Sequence, residues 1–320
     1  MKNFKQYYPT TVDEAAKYLK ENPKDTYIVG GGTDVIGAMK DFILPTYPVA
    51  LVSLDKIPGL TGIKEEGDYL IIGAMTKVED LAMSDLLKSK YTCLAEAASR
   101  TASPHLRESG TVGGNLCQMT RCWYFRHNNN QFDCVRKGGS TCYALTGETR
   151  FHSIFGLTKM CAAVNPSDLA PAMVALNAVA VTNKKEIPIE KLWSFAVPGS
   201  TTLDHDEIIT SFKIPKFTGK SCFYKASVRR TIDFPIVNGA CAIDASGNAR
   251  ICLNAVAMTP HRCTEAEETI KGKSITESLA AEAGAAAVQK AKAIPGTGTS
   301  NEYKIEIAKG VIKKVILGCK

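Results

Sequence analysis

Four cysteines in the middle of the chain have the spacing expected of ligands to a metal group. Cys122, Cys134, Cys142 and Cys161 are separated by 11, 7 and 18 residues. Structural zinc sites usually contain a C-x-x-C pair, which this segment lacks. An iron–sulfur cubane is larger than a single ion and accepts thiolates from several directions. The spacing alone leaves three interpretations open: an iron–sulfur cluster, a zinc ion or four unliganded thiols.

Two glycine-rich stretches, GGGTD at 30–34 and GTVGGN at 110–115, could bind the phosphates of a nucleotide. Each can turn sharply and present backbone N–H groups to an anion. Neither a dinucleotide fingerprint nor a Walker A motif is present, because the third fingerprint glycine falls at Val35 and no lysine follows. Two such stretches could hold a pyrophosphate from both sides, which predicts an extended dinucleotide. Cys117 stands two residues beyond the second stretch, where we expect it to have a packing role.

The composition is that of a globular protein, with 320 residues, 45% hydrophobic and 22% charged. This length predicts two or three domains with ample core. The net charge of +7 is spread without a basic block, so we do not expect nucleic-acid binding. No apolar run approaches the ~20 residues of a membrane span, and residues 1–19 lack a signal-peptide pattern. We therefore expect a cytoplasmic protein, in which clustered cysteines bind metal rather than form disulfides.

Helices and strands are predicted around these motifs from the periodicity of apolar residues. A capping box at 11–14 begins one predicted helix, and Thr76 and Glu79 are expected to cap another. The other predicted elements are strands at 26–29, 49–53 and 69–73, a helix over 91–101, a hairpin within 235–258 that turns at 246–248, an alanine-rich helix over 276–293 and a terminal helix over 301–317.

Residues 123–156 lack any clear period and are rich in polar residues. A loop of this length inside a compact domain is usually functional or disordered. Because cysteines punctuate it, we expect a loop organised by a ligand. The segment KFTGKS at 216–221 is interpreted as a linker, which places a domain boundary near residue 216.

Four motifs in this order resemble the FAD-binding medium subunit of molybdenum hydroxylases, the family that includes the flavin subunits of xanthine dehydrogenase and carbon monoxide dehydrogenase. They are VGGGTDV at 29–35, SGTVGGNLCQ at 109–118, NPSDLAPAM at 165–173 and YKASVRRTIDFPIV at 224–237. The resemblance covers essentially the whole chain. It implies an α+β protein with a two-subdomain FAD-binding domain like those of PCMH and vanillyl-alcohol oxidase proteins. That domain would span 1–216, with its internal boundary near 55, and a C-terminal sheet-and-helix domain would span 217–320.

The resemblance also implies which residues contact FAD. Asp168 would bind the flavin nucleotide and Ile209 would lie beside the isoalloxazine ring. The alternatives without a ligand are a helix cap for Asp168, a core position for Ile209 and an exposed strand position for Lys225. The implied set is Ile28, Val29, Gly30, Gly31, Gly32, Thr33, Asp34, Val35, Thr111, Gly114, Asn115, Asp168, Ile209 and Lys225.

The insertion between residues 117 and 161 resembles that of the 4-hydroxybenzoyl-CoA reductase beta subunit and of the flavin subunit of a periplasmic bacterial aldehyde oxidoreductase. By that resemblance, Cys122, Cys134, Cys142 and Cys161 hold a [4Fe-4S] cluster. The stretch between the third and fourth ligands is longer than in the reductase.

The function implied is electron transfer, because FAD exchanges two electrons as a hydride and passes them singly to iron–sulfur carriers. Substrate chemistry would take place on partners, a molybdenum-cofactor large subunit and a [2Fe-2S] small subunit, in a heterotrimer that is itself dimerised. The external carrier would be ferredoxin or NAD. Two other functions stay open: a self-contained flavin oxidase of the vanillyl-alcohol oxidase type and a zinc-stabilised nucleotide-binding scaffold.

Overall fold

The computed structural model describes residues 1–23, 25–156, 161–197, 199–297 and 300–320. Within these residues, strands form three separate sheets and helices cover them. The strands are β1 (Lys5–Tyr7), β2 (Thr26–Val29), β3 (Ala50–Ser53), β4 (Ile63–Glu66), β5 (Tyr69–Gly73), β6 (Val179–Thr182), β7 (Glu186–Pro188), β8 (Ile209–Pro215), β9 (Gly219–Ala226), β10 (Val237–Asp244), β11 (Ala249–Asn254) and β12 (His261–Arg262). The helices are α1 (Val12–Glu21), α2 (Val35–Lys40), α3 (Val78–Met83), α4 (Asp85–Lys90), α5 (Thr92–Ser99), α6 (Pro104–Ser109), α7 (Val112–Leu116), α8 (Trp123–Arg126), α9 (Leu169–Ala175), α10 (Thr264–Ile270), α11 (Glu277–Ala287) and α12 (Tyr303–Leu317).

The first sheet is parallel, in the order β1-β3-β2, and carries the first glycine stretch. The predicted capping box is confirmed, since the Thr11 hydroxyl accepts a hydrogen bond from the Glu14 amide at 3.2 Å and begins α1. The predicted strand at 26–29 is also confirmed as β2. The chain leaves the carboxyl end of β2 directly into residues 30–34, so the sheet fixes where this stretch begins.

The second sheet is antiparallel, in the order β4-β5-β8-β6-β7, and its apolar face packs under α3, α5 and α9. Phe212 and Leu70, from neighbouring strands, are completely buried there. The expected cap at Thr76 is wrong, because its hydroxyl accepts instead from the Gly62 amide at 2.9 Å. The Asp80 carboxylate accepts from the Lys77 amide at 3.2 Å and so caps the start of α3.

The third sheet is antiparallel, in the order β12-β11-β10-β9, and lies between two helical layers. One face packs on α10 and α12, which α11 covers, and the other packs on α5 and α9. The predicted hairpin is confirmed as β10 and β11. The alanine-rich helix is shorter than predicted and ends at Ala287. The linker is also shorter, because β9 begins at Gly219 to pair with β10 and leaves only 216–218 between strands.

The segment 123–156 is irregular, as predicted, and its regular structure is limited to α8 and three single 3₁₀ turns. Its end is tied to the C-terminal helix by Lys304, whose fully buried ammonium donates to the carbonyls of Phe151, His152 and Ala255 at 3.3, 2.9 and 2.6 Å. In the part of the chain that the structure describes, no helix is long and apolar enough to cross a membrane.

Candidate functional site

The two glycine stretches meet at one cavity of about 430 Å³. All eight residues from Ile28 to Val35 line it, and so do Thr111, Gly114 and Asn115 from the second stretch. The volume falls in the range of small-molecule and cofactor sites. The structure therefore brings together two motifs that stand about 80 residues apart in the sequence.

The glycines are needed because the two stretches touch. A Cβ atom on Gly31 would lie 1.8 Å from the carbonyl oxygen of Ser109. A Cβ on Gly30 would lie 2.7 Å from the Thr111 hydroxyl. Contacts under 3.0 Å leave no room for any other residue at these positions, so glycine here sets the distance between the stretches.

Short polar contacts fix the second stretch. It is not a loop throughout, because Thr111 caps the short helix α7 by accepting from the Gly114 amide at 3.1 Å. The Asn115 amide oxygen accepts from the Ser167 hydroxyl at 2.5 Å. That hydroxyl also accepts from the Ala170 amide at 3.1 Å, so Ser167 rather than Asp168 caps α9.

Asp168 lines the cavity, whereas Lys225 stands behind it. The Lys225 ammonium donates to the Asp168 carboxylate at 2.7 Å and to the Arg100 carbonyl at 3.0 Å. Both side chains are buried, 2% and 4% exposed, so Lys225 is not an exposed strand lysine. Burial raises the pKa of Asp168, while the Lys225 ammonium and the Asn238 amide oppose this shift. Lys225 can act on a bound ligand only through this pair.

Ile209 lies at the same cavity and is 7% exposed. The same cavity is also lined by residues that sequence reasoning did not assign to the site, among them Ile232 and Phe234. The Ile232 amide donates to the Ala102 carbonyl at 3.1 Å, and both residues have left-handed φ angles, 65° and 49°. Such conformations are costly for a β-branched residue and concentrate at functional sites.

Arg121 is the main residue that the sequence did not reveal. Its guanidinium lines the cavity, contacts the Asp34 carboxylate at 2.8 Å and lies 4.6 Å from the centre of the Phe234 ring. Arg126 contacts the same carboxylate at 2.5 Å. Burial lowers the pKa of Arg121 to about 10, which still leaves it charged at neutral pH. One carboxylate thus faces two guanidinium groups, so this cluster of three side chains carries one positive charge in excess, which suits an anionic ligand.

The four predicted metal ligands, Cys122, Cys134, Cys142 and Cys161, line a second, small cavity. Hydrogen bonds reach three of the sulfurs. The Ala162 amide donates to Cys142 at 3.4 Å, and the Ala163 amide donates to Cys161 at 3.5 Å. The Arg136 Nε donates to Cys161 at 3.3 Å, and the His152 ring nitrogen lies 3.2 Å from the Cys122 sulfur. Donors aimed at sulfur are the surroundings that iron–sulfur ligands need.

The sulfurs do not converge on a single-ion centre. The cavity between them is about 10 Å³, and among the described residues no group of three or more His, Cys, Asp and Glu side chains is placed to hold a metal ion. The four sulfurs therefore do not form a ready metal site, and a cluster would fit only once the cysteine side chains turn outward. Cys117 lies elsewhere, in the wall of the first cavity, which agrees with a packing role.

Two buried cations beside the cysteines form no close ion pair among the residues described. Arg136 is 6% exposed and Lys137 is 8% exposed. The Lys137 ammonium donates to the Ile43 carbonyl at 3.3 Å, and burial lowers its pKa. Buried charges are normally paired, because desolvation of an isolated ion is costly. An anionic group held by the four sulfurs would supply the missing negative charge.

Family models cover the chain in two consecutive parts. The model for the FAD binding domain in molybdopterin dehydrogenase matches residues 2–217. The model for the CO dehydrogenase flavoprotein C-terminal domain matches residues 222–319.

Similar proteins match along almost their whole length. The chain is 31% identical over 330 residues to the aldehyde oxidoreductase FAD-binding subunit PaoB of Escherichia coli (strain K12), covering 99% of this chain and 98% of that protein. It is 24% identical over 318 residues to the carbon monoxide dehydrogenase medium chain of Hydrogenophaga pseudoflava, covering 98% and 96%. Among solved structures, reconstituted CO dehydrogenase from Oligotropha carboxidovorans aligns with a TM-score of 0.77 at 22% identity, covering 99% of this chain and 98% of that one. This last likeness is one of fold.

Proposed function

The chain belongs to the family of FAD-binding subunits of molybdopterin dehydrogenases, and we propose that it passes electrons between FAD and a [4Fe-4S] cluster of its own. It is an FAD-containing oxidoreductase subunit. The observation that carries the cluster proposal is the position of two consecutive residues. Arg121 lines the glycine-bounded cavity, and Cys122 lines the four-cysteine cavity. One short segment thus forms a wall of both sites.

FAD would lie between the two glycine stretches. Its chemistry when bound is conversion between hydride transfer and single-electron transfer. The residues from Ile28 to Val35, with Thr111, Gly114 and Asn115, would hold the nucleotide. The positive charge that Arg121 brings to the cavity would attract its phosphates, and Asp168, held by its ion pair with Lys225, would offer a fixed carboxylate oxygen. Ile209, which lines the same cavity, would lie beside the isoalloxazine ring.

The cluster would be held by Cys122, Cys134, Cys142 and Cys161, in an insertion of the 4-hydroxybenzoyl-CoA reductase type. Support comes from the single cavity that the four residues line and from the two buried cations beside it. Thiolates and an iron–sulfur group are together anionic, so this assignment removes the charge imbalance that four neutral thiols would leave. Cluster chemistry is one-electron exchange.

The remaining proposals concern domains and partners. Residues 1–216, divided near 55, would form the FAD-binding domain of PCMH type, and 217–320 the second domain. Relatives are named as medium chains, which supports a place beside a molybdenum-cofactor large subunit and a [2Fe-2S] small subunit in a dimerised heterotrimer. Ferredoxin or NAD would be the external carrier, and the cytoplasm the location. Stopped-flow mixing of the isolated complex with each carrier distinguishes the two carriers by which one reduces the flavin.

The test of this function is the cofactor content of the chain purified with its partner subunits. We expect flavin absorption bands on a broad iron–sulfur shoulder, with one FAD and about four irons per copy of this chain beyond those of the partners. Flavin without the additional iron would overturn the cluster. Flavin with direct substrate turnover by the chain alone would indicate the oxidase, and zinc without flavin the scaffold.

A further inference from the structure

We propose that Arg136 is a positioning residue that raises the reduction potential of the cluster by holding a permanent positive charge against the Cys161 sulfur. This inference rests on the proposed [4Fe-4S] cluster. It concerns a residue that no sequence motif marks, because Arg136 stands in the middle of the irregular insertion.

The guanidinium is held in place from two directions. Its Nε donates to the Cys161 sulfur at 3.3 Å, and one terminal nitrogen donates to the Ala196 carbonyl at 3.3 Å. Its other terminal nitrogen is buried without a hydrogen-bond partner. No ion pair to Arg136 occurs within the described ranges, and the residue is 6% exposed. The charge is thus fixed and uncompensated by protein carboxylates.

Other groups around the cysteines are neutral or point elsewhere. The amides of Ala162 and Ala163 and the imidazole of His152 contact sulfur without a comparable fixed charge. The Lys137 ammonium is directed to the Ile43 carbonyl and lies 5.8 Å from the centre of the Phe125 ring. Arg136 is therefore the one arginine or lysine, among the residues described, whose side chain donates to a cysteine sulfur.

The direction of the effect follows from the charge. A cluster that gains an electron becomes more negative, and a nearby fixed cation stabilises the reduced form more than the oxidised form. The interaction is strong because the surroundings are buried. Arg136 would thus make the cluster easier to reduce, and its removal would make the reduced cluster a stronger donor.

The experiment is a potentiometric titration of the cluster, followed by electron paramagnetic resonance, in the assembled complex. We expect Arg136→Gln to lower the one-electron reduction equilibrium constant at least tenfold, which equals about 59 mV toward negative potential. Arg136→Lys keeps the charge, and we expect its reduction equilibrium constant to stay within about threefold of that of the parent. Arg250→Gln is the control, since it removes a partly buried arginine that pairs with Glu190 and not with a cysteine.

The outcomes separate this inference from the function it rests on. Full iron content with an unchanged reduction potential in Arg136→Gln would overturn the role of Arg136 without contradicting the proposed cluster. A parent complex that lacks the additional cluster would overturn the proposed function itself. If Arg136→Gln binds no iron, Arg136→Lys is the deciding variant. A reduction equilibrium constant within threefold of the parent supports the proposed effect of the Arg136 charge, and a tenfold or larger change rejects it.

Discussion

The Asp34 carboxylate and the Arg126 guanidinium lie 2.5 Å apart, although 92 positions separate them in the chain. Asp34 ends the first glycine stretch, and Arg126 ends α8, the helix that begins after Cys122. The same carboxylate accepts from the Met119 amide at 2.9 Å. One acidic side chain thus joins the proposed flavin loop to the start of the proposed cluster loop.

Replacement of Asp34 is therefore expected to weaken both sites. In Asp34→Asn, Arg121 and Arg126 face each other without a carboxylate between them. We expect FAD affinity to fall at least tenfold, about 1.4 kcal/mol, because the loop loses its anchor. Titration of the deflavinated complex with FAD measures this loss. Asp206→Asn removes an exposed partner of Lys184 and serves as the control, with affinity unchanged. Equal FAD affinities in Asp34→Asn and Asp206→Asn would contradict the proposal that Asp34 anchors the flavin loop.

Glycine at position 31 is required by the contact with Ser109. In Gly31→Ala the new Cβ would lie 1.8 Å from a backbone oxygen, so the two stretches must separate. We expect a loss of about 3 kcal/mol in the free energy of unfolding and a protein isolated without FAD. Gly37→Ala is the matched control, because a Cβ there meets nothing within 4 Å. Thermal unfolding and the flavin-to-protein ratio measure both effects. A flavin-loaded Gly31→Ala protein would show that the contact can relax.

Serine replacements sort the cysteines into ligands and packing residues. Each of Cys122→Ser, Cys134→Ser, Cys142→Ser and Cys161→Ser should lower the additional iron of the complex, because serine is a poor ligand for this cluster. Cys117→Ser and Cys263→Ser should keep it, since neither residue lines the four-cysteine cavity. Iron analysis per flavin is the measurement. Iron loss in Cys117→Ser together with full iron content in Cys122→Ser would reassign the first ligand.

Asp168 and Lys225 form a buried ion pair, and replacing one partner should destabilise the protein more than replacing both. Lys225→Met leaves the Asp168 carboxylate buried opposite an apolar chain, which we expect to lower the free energy of unfolding by about 3–5 kcal/mol. The double variant Lys225→Met with Asp168→Leu should be less destabilised than the single one. Urea unfolding of the parent, of each single variant and of the double variant measures this difference. Additive losses would indicate that the two side chains stabilise the fold independently.

Lys304 gives the fold a predictable pH dependence. Burial lowers its pKa to about 7, against about 10.4 in an unfolded chain. Between these values the unfolded chain binds the proton and the folded chain does not, so this contribution to stability rises as pH rises from about 7 to about 10. Comparison of unfolding free energies of the parent and Lys304→Met across this interval isolates the effect. The stability difference in favour of the parent should grow with pH; a constant difference would mean that the three carbonyl acceptors keep the ammonium charged.

Local sequence patterns predicted a part of the secondary structure. The capping box at Thr11, the strand at 26–29 and the hairpin around 246–248 depend on neighbouring residues, whose preferences act over a few positions. The predictions that failed were those in which a distant group competed. The Thr76 hydroxyl accepts a hydrogen bond from the Gly62 amide instead of capping α3. The linker is shorter than predicted because β9 pairs with β10 as far as Gly219.

The glycine stretches and the four cysteines were visible in the sequence as candidate ligand sites, since turn chemistry and thiol chemistry belong to residue types and spacing. Their meeting at two adjoining cavities was decided by tertiary structure alone. The contacts of Asp34 with Arg126, of Lys225 with Asp168 and of Arg136 with Cys161 each join positions 25 to 92 residues apart. No local pattern encodes such pairs, because burial strengthens or penalises a charge only after the fold has removed water from around it.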